Sequence, residues 1–159
     1  MTSELEQVGH RRVADVVRDV VARVAPEEVP VVDALAALDP GDASRRVGGT
    51  GVRREPLGFG LGDVAVIVTP VVWVAVEHVV TRLTDSAADS LVDRVRRLVR
   101  RRKAVEPVVA LPLTAEQLAE VRRKALETAV RRGLAPEEAE SIADAIVARL
   151  VLGDEPEPE

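Results

Sequence analysis

A chain of 159 residues that is 47% hydrophobic is not wholly disordered, and it has the length for one domain or two small helical units. Phe59 and Trp73 are its only aromatic residues, so the core must be aliphatic and platforms for stacking bases or sugars are missing. The absence of cysteine excludes disulfides, thiolate metal sites and cysteine nucleophiles. The net charge of -5 conceals a basic island, because Arg82 to Lys103 holds eight basic and three acidic residues.

Residues 3–24 read as a first helix, with Val13, Val16, Val17, Val20, Val21 and Val24 forming one apolar stripe. Asp15, Arg18, Asp19 and Arg23 fall on the other side, Asp19 and Arg23 at ion-pair spacing. Valine is a mediocre helix former because its branched Cβ restricts χ1, so packing must hold this helix. Pro26 suits the first turn of a second helix, with Glu27 and Glu28 at the positive end of its dipole. Val29, Val32, Leu35, Ala36 and Leu38 are expected to face inward, and the helix to end near Asp39. These two helices make an N-terminal unit over 1–39.

Residues 40–62 are rich in Gly and Arg without apolar periodicity and read as a linker. Residues 64–76, VAVIVTPVVWVAV, form the long uncharged apolar run. Thr69-Pro70 within it marks either a kink or a new helix capped by Thr69. The β-branched content leaves a buried strand pair as the alternative, but the helical character of the surroundings favours helix.

Thr84, Asp85 and Ser86 offer N-caps for a basic amphipathic helix reaching Arg102, with Leu91, Val95, Leu98 and Val99 on its apolar face. It completes a unit over 63–103. After Pro107 and Pro112 a helical hairpin is expected over 113–152. Thr114 and Gln117 make a capping box, Leu118, Val121, Leu126 and Val130 an apolar face, and Gly133 a helix stop. Pro136 opens the last helix, with Ile142, Ile146, Val147 and Leu150 inward, and 153–159 is an acidic, disordered tail. The predicted fold class is all-α: a small helical bundle with a central apolar helix and a C-terminal helical hairpin.

Motifs for chemistry fail on context. GGTG at 48–51 is followed by Val52 and Arg53, not by the Lys-Ser/Thr of a phosphate loop. GFGLG at 58–62 precedes the apolar run instead of following a strand and opening a helix. His10 and His78 lie in no metal-ligand spacing, and a solvent-facing or satisfied histidine is the expectation for both. No serine sits in GxSxG. The chain therefore reads as non-enzymatic, with no cofactor, no metal and no small-molecule substrate, and nucleic acid is disfavoured by its net acidity.

The segments APEEVP (25–30), EPLGFG (55–60), LTAEQLAEVRRKALETAVRRGL (113–134) and ADAIVARL (143–150) resemble a group of uncharacterised small bacterial proteins. The resemblance implies a small standalone helical protein and transfers no activity, site or cofactor.

Two adjacent features carry the functional expectation. Thirteen uncharged residues span about 20 Å as a helix, short of the roughly 30 Å hydrocarbon core. The run RVRRLVRRRK at 94–103 follows downstream, where basic residues favour anionic headgroups. The expected contact residues are Val66, Ile67, Val71, Val72, Trp73, Val74, Arg94, Arg96, Arg97, Arg100, Arg101, Arg102 and Lys103. They serve an anionic membrane surface or a protein partner, with self-association and membrane perturbation as extensions. The polar N-terminus carries no signal peptide, so a cytoplasmic location, or the cytoplasmic face of a membrane, is expected. The alternative is a soluble adaptor or regulatory module that keeps the apolar segment as its buried core helix.

Overall fold

A computed structural model describes residues 10–48, 66–86, 108–110 and 112–152. The chain is an all-α helical bundle built around one central helix. Strand β1 (His10–Arg12) leads into α1 (Val13–Val24), and a single 3-10 turn at Pro26–Glu28 leads into α2 (Val29–Ala36). Then come α3 (Pro40–Gly48), α4 (Val68–Ser86), β2 (Val108–Ala110), α5 (Ala115–Arg131) and α6 (Pro136–Leu152). The two strands pair antiparallel with His10 opposite Ala110, a short clip on a helical body.

Helix α4 packs against α1, α3, α5, α6 and β2, and α1 in turn packs against α2 and α6. One continuous cluster joins them, dominated by the valines of α1, Val31, Val32, Val71, Val72, Val76, Val79, Val121 and Ile146. The valine stripe of α1 lies inside as predicted, with Val24 only partly covered. Helix formation by β-branched residues is thus held by tertiary burial, each such side chain contributing about 1.5–3 kcal/mol on full enclosure.

Several sequence expectations need correcting. Residues 10–12 are extended, so the first helix begins at Val13; residues 1–9 lie outside the described residues. The expected linker begins with helix α3, because Pro40 fits its first turn, Arg45 and Arg46 suit its last, and Ala43 and Val47 bury one side. The rest of that linker, the helix predicted through Arg102 and the tail 153–159 fall outside the described residues. Thr84, Asp85 and Ser86 lie in the last turn of α4 and do not begin a new helix within the described residues. Ala36 and Val130 are exposed, whereas Val31 is buried, so both predicted stripes were rotated by about a residue.

The hairpin follows its sequence closely. Thr114 and Gln117 form the reciprocal capping box, Gln117 donating its backbone N–H to Thr114 Oγ1 at 3.2 Å and Thr114 its own to Gln117 Oε1 at 2.8 Å. Helix α5 ends in a Schellman arrangement: Gly133 N–H donates to Val130 O at 3.0 Å and Leu134 N–H to Ala129 O at 3.1 Å. Gly133 has a φ of 83°, the left-handed conformation this turn requires.

Candidate functional site

The predicted contact residues separate into two groups. Val71, Val72 and Trp73 are at most 4% exposed and lie in the core, while Val66, Ile67 and Val74 are half-buried. Arg94, Arg96, Arg97, Arg100, Arg101, Arg102 and Lys103 lie outside the described residues. Among the described residues, no helix is long and apolar enough to cross a membrane. The strand alternative for the apolar run is overturned, since Val68 to Ser86 is one helix with Pro70 in its first turn. There Pro70 costs no helical hydrogen bond.

The start of α4 is held by a residue about forty positions earlier. Glu28, 3% exposed in the 3-10 turn, accepts backbone N–H bonds from Ile67 at 2.9 Å, Val68 at 3.0 Å and Thr69 at 2.6 Å. The first N–H groups of a helix have no partner within it and carry its partial positive charge, so a carboxylate is the natural receiver. Sequence reading placed Glu28 in the first turn of its own helix and Thr69 as the cap. The Thr69 hydroxyl instead has no hydrogen-bond partner among the described residues.

Farther along α4 a polar cluster meets α5. His78 Nε2 lies 3.0 Å from Glu120 Oε1, and Arg82 Nε donates to the same oxygen at 3.1 Å. The hydrogen bond from His78, with the charges of Arg82 and His78 adding to it, holds the Glu120 carboxyl below the ordinary glutamate range against the opposing effect of burial. An imidazole oriented by a carboxylate resembles half of a nucleophilic triad. The hydroxyl of Ser44, however, bonds to Pro40 O and Glu77 Oε1 and not to that imidazole. Among the described residues no group of three or more His, Cys, Asp or Glu is placed to hold a metal ion. The cluster therefore reads as a helix–helix tie.

The end of α6 inverts the usual polarity. Arg149, 8% exposed, points inward and donates from Nε to Asp19 Oδ2 of α1 at 2.9 Å, with Nη2 bonded to the same oxygen. Asp19 thus ties two helices together in place of the predicted local pair with Arg23. Val151 and Leu152, at 59% and 62% exposure, point outward. They line an open groove of about 430 Å³ with Val147 and Ala148, bordered by Arg122 and Asp144, which pair at 3.0 Å. The predicted inward position of Val147 holds only in part, since it is half-buried and faces this groove. Elsewhere Arg132 donates to Val47 O at 2.7 Å, and burial lowers the pKa of its guanidinium from the ordinary value. An arginine at the carbonyl end of α3 complements that end of the helix dipole.

Helical spacing could have located the groove: Asp144, Val147, Ala148 and Val151 follow it as well as the inner set does. No local pattern announces Glu28 or the Asp19–Arg149 tie, because both join residues remote in sequence. No protein family, curated protein or solved structure matches the chain.

Proposed function

We propose that this is a non-enzymatic helical interaction protein that spends its apolar segment on its own core and associates through the outer face of α6, with a second copy of itself as partner. The carrying observation is the inverted polarity of the last turns of α6, where the charge is inward and Val151 and Leu152 are outward. Arg122 and Asp144 neutralise each other at the border, so the surface selects no charged partner and is compatible with its own copy. A two-fold pairing brings this same patch from both chains together. Sedimentation velocity from micromolar to near-millimolar protein tests it. Concentration-dependent association that Val151→Glu with Leu152→Glu removes, at unchanged helicity, supports the reading. A monomer at every concentration overturns it.

Surface attachment to anionic membranes is the second reading, motivated by seven basic and no acidic residues in 94–103. Each basic residue contributes about 1 kcal/mol near an anionic surface. Flotation with anionic liposomes at low salt checks it. Protein that remains at the bottom of the gradient rules it out, and replacing Arg96, Arg97, Arg100 and Arg101 by Gln should abolish any binding seen.

A further inference from the structure

The outer side of the α5–α6 hairpin divides lengthwise into an apolar half and a charged half. The Arg122–Asp144 pair at 3.0 Å lies between them and marks the antiparallel register of the two helices. At a rise of about 1.5 Å per residue, Ala119 is then level with Val147, and Ala115 with Val151. On the other side of the pair, toward the Gly133 turn, come Arg123 of α5 and Glu140 and Glu137 of α6. Ala115, Ala119, Arg123, Glu137, Glu140 and Val151 are all exposed. The outer line of α6 thus runs from carboxylates to valines. That of α5 runs from arginine to alanines, its Glu127 being engaged by Lys124 at 3.8 Å and Arg131 at 3.5 Å. Glu116 lies in the first turn of α5, at the end of this face and beside water.

Given the self-association proposed above, we infer that two copies dock by their whole hairpins, α6 of each on α5 of the other. The two-fold axis runs parallel to the helices, midway between α5 and α6. Rotation about such an axis preserves every level along the helices. Val147 and Val151 then meet Ala119 and Ala115 of the second copy, large side chains against small ones. Glu140 and Glu137 meet its Arg123, so charge is matched by opposite charge. The two Arg122–Asp144 pairs come together with unlike charges facing, and neither pair has to open. The other simple two-fold pairing lays α6 antiparallel on α6 about Ala148. It places Asp144 against Leu152 of the second copy, which covers a charge with an apolar group. Size favours the hairpin arrangement as well. A face about 25 Å long and about 20 Å wide covers about 1,000 Å² over both copies, the least a specific interface needs, whereas the groove residues alone fall well short.

Cross-linking tests this arrangement cleanly because the chain has no cysteine of its own. Ala115→Cys and Val151→Cys are mixed and oxidised at a concentration where sedimentation velocity shows the wild type associated. The mixed disulfide should exceed its statistical share over the two symmetric ones. Ala148→Cys alone should link poorly, since its two copies lie beyond disulfide reach. Glu140→Arg should weaken association by about three- to tenfold, because each exposed pair occurs twice, and adding Arg123→Glu should restore it. Circular dichroism checks that every variant keeps its helices. Association without the mixed disulfide, or ready self-linking of Ala148→Cys, overturns this arrangement and leaves self-association standing. A double charge variant as weak as Glu140→Arg does the same. A wild type that stays monomeric removes both.

Discussion

Removing the Glu28 carboxylate should loosen the central helix at its root. In Glu28→Ala the N–H groups of Ile67, Val68 and Thr69 lose their acceptors at a position where Glu28 itself is 3% exposed. A buried polar group left without a partner costs about 1–3 kcal/mol, and entering water recovers part of that, so about 3–5 kcal/mol for the three together is the expected loss. Against a typical domain stability of about 5–15 kcal/mol, this is a large fraction. Glu28→Gln keeps one acceptor oxygen but turns an NH2 toward an N–H, and should fall between Ala and wild type. Urea unfolding followed by Trp73 fluorescence gives the equilibrium loss, and amide hydrogen exchange locates it. The reasoning fails if Glu28→Ala costs under about 1 kcal/mol. It fails equally if the amides of residues 67–69 exchange no faster than in wild type.

Four further outcomes follow from single contacts. Asp19→Ala removes the carboxylate that receives the inward Arg149 and should cost about 2 kcal/mol, while Arg149→Met leaves a half-exposed aspartate and should cost less than about 1 kcal/mol; chemical denaturation of both ranks them. Because the folded Glu120 carboxyl lies below the ordinary glutamate range, its contribution to stability is complete above the unfolded value and is lost as the pH falls through the folded one. Carbon-detected NMR titration should therefore place Glu120 low, and His78→Ala should raise it toward the ordinary range. Gly133→Ala meets nothing within 4 Å, so the left-handed backbone alone should cost about 1 kcal/mol, visible as a lowered Tm. Thr128→Val replaces a buried hydroxyl that has no partner among the described residues, and thermal melts should show it neutral or stabilising by up to about 1 kcal/mol.

What the sequence made legible was what repeats or caps locally. The valines of α1 announce their buried face because period 3.6 survives over three turns, and the Thr114–Gln117 box and Gly133 announce both ends of α5 because caps act within four residues. Helix α3 was missed because Gly41 and Gly48 at its ends mimic a linker, although Ala43 and Val47 carry its one buried side. Val130 was misplaced because the stripe of α5 turns inward through Ala125, Thr128 and Ala129, residues too small or polar to weigh in an apolar count. The candidate site was legible only in chemistry: the apolar segment was identified, but whether it served lipid or core depended on what faces it. The Glu28 contacts and the Asp19–Arg149 tie are assembled from residues far apart in the chain, which no window of sequence brings together.

The energetics of α4 bear on how a membrane role could work. Moving α4 from the core into lipid would keep Val71, Val72, Trp73, Val76 and Val79 away from water, so these side chains lose little by the exchange. The cost falls on the valines of α1 and on Val121 and Ile146, which share its cluster and would meet water in its absence. At about 1.5–3 kcal/mol for each enclosed aliphatic side chain, even a handful amounts to on the order of 10 kcal/mol, comparable with the whole stability of such a domain. The Glu28 contacts would be forfeited as well. Lipid insertion of α4 is thus equivalent to unfolding the bundle, and a membrane role that keeps the fold has to leave α4 in its place. A liposome-bound chain should then keep its Trp73 emission blue-shifted and shielded from brominated acyl chains, and strong quenching by those lipids would show that α4 had left its place among α1, α5 and α6.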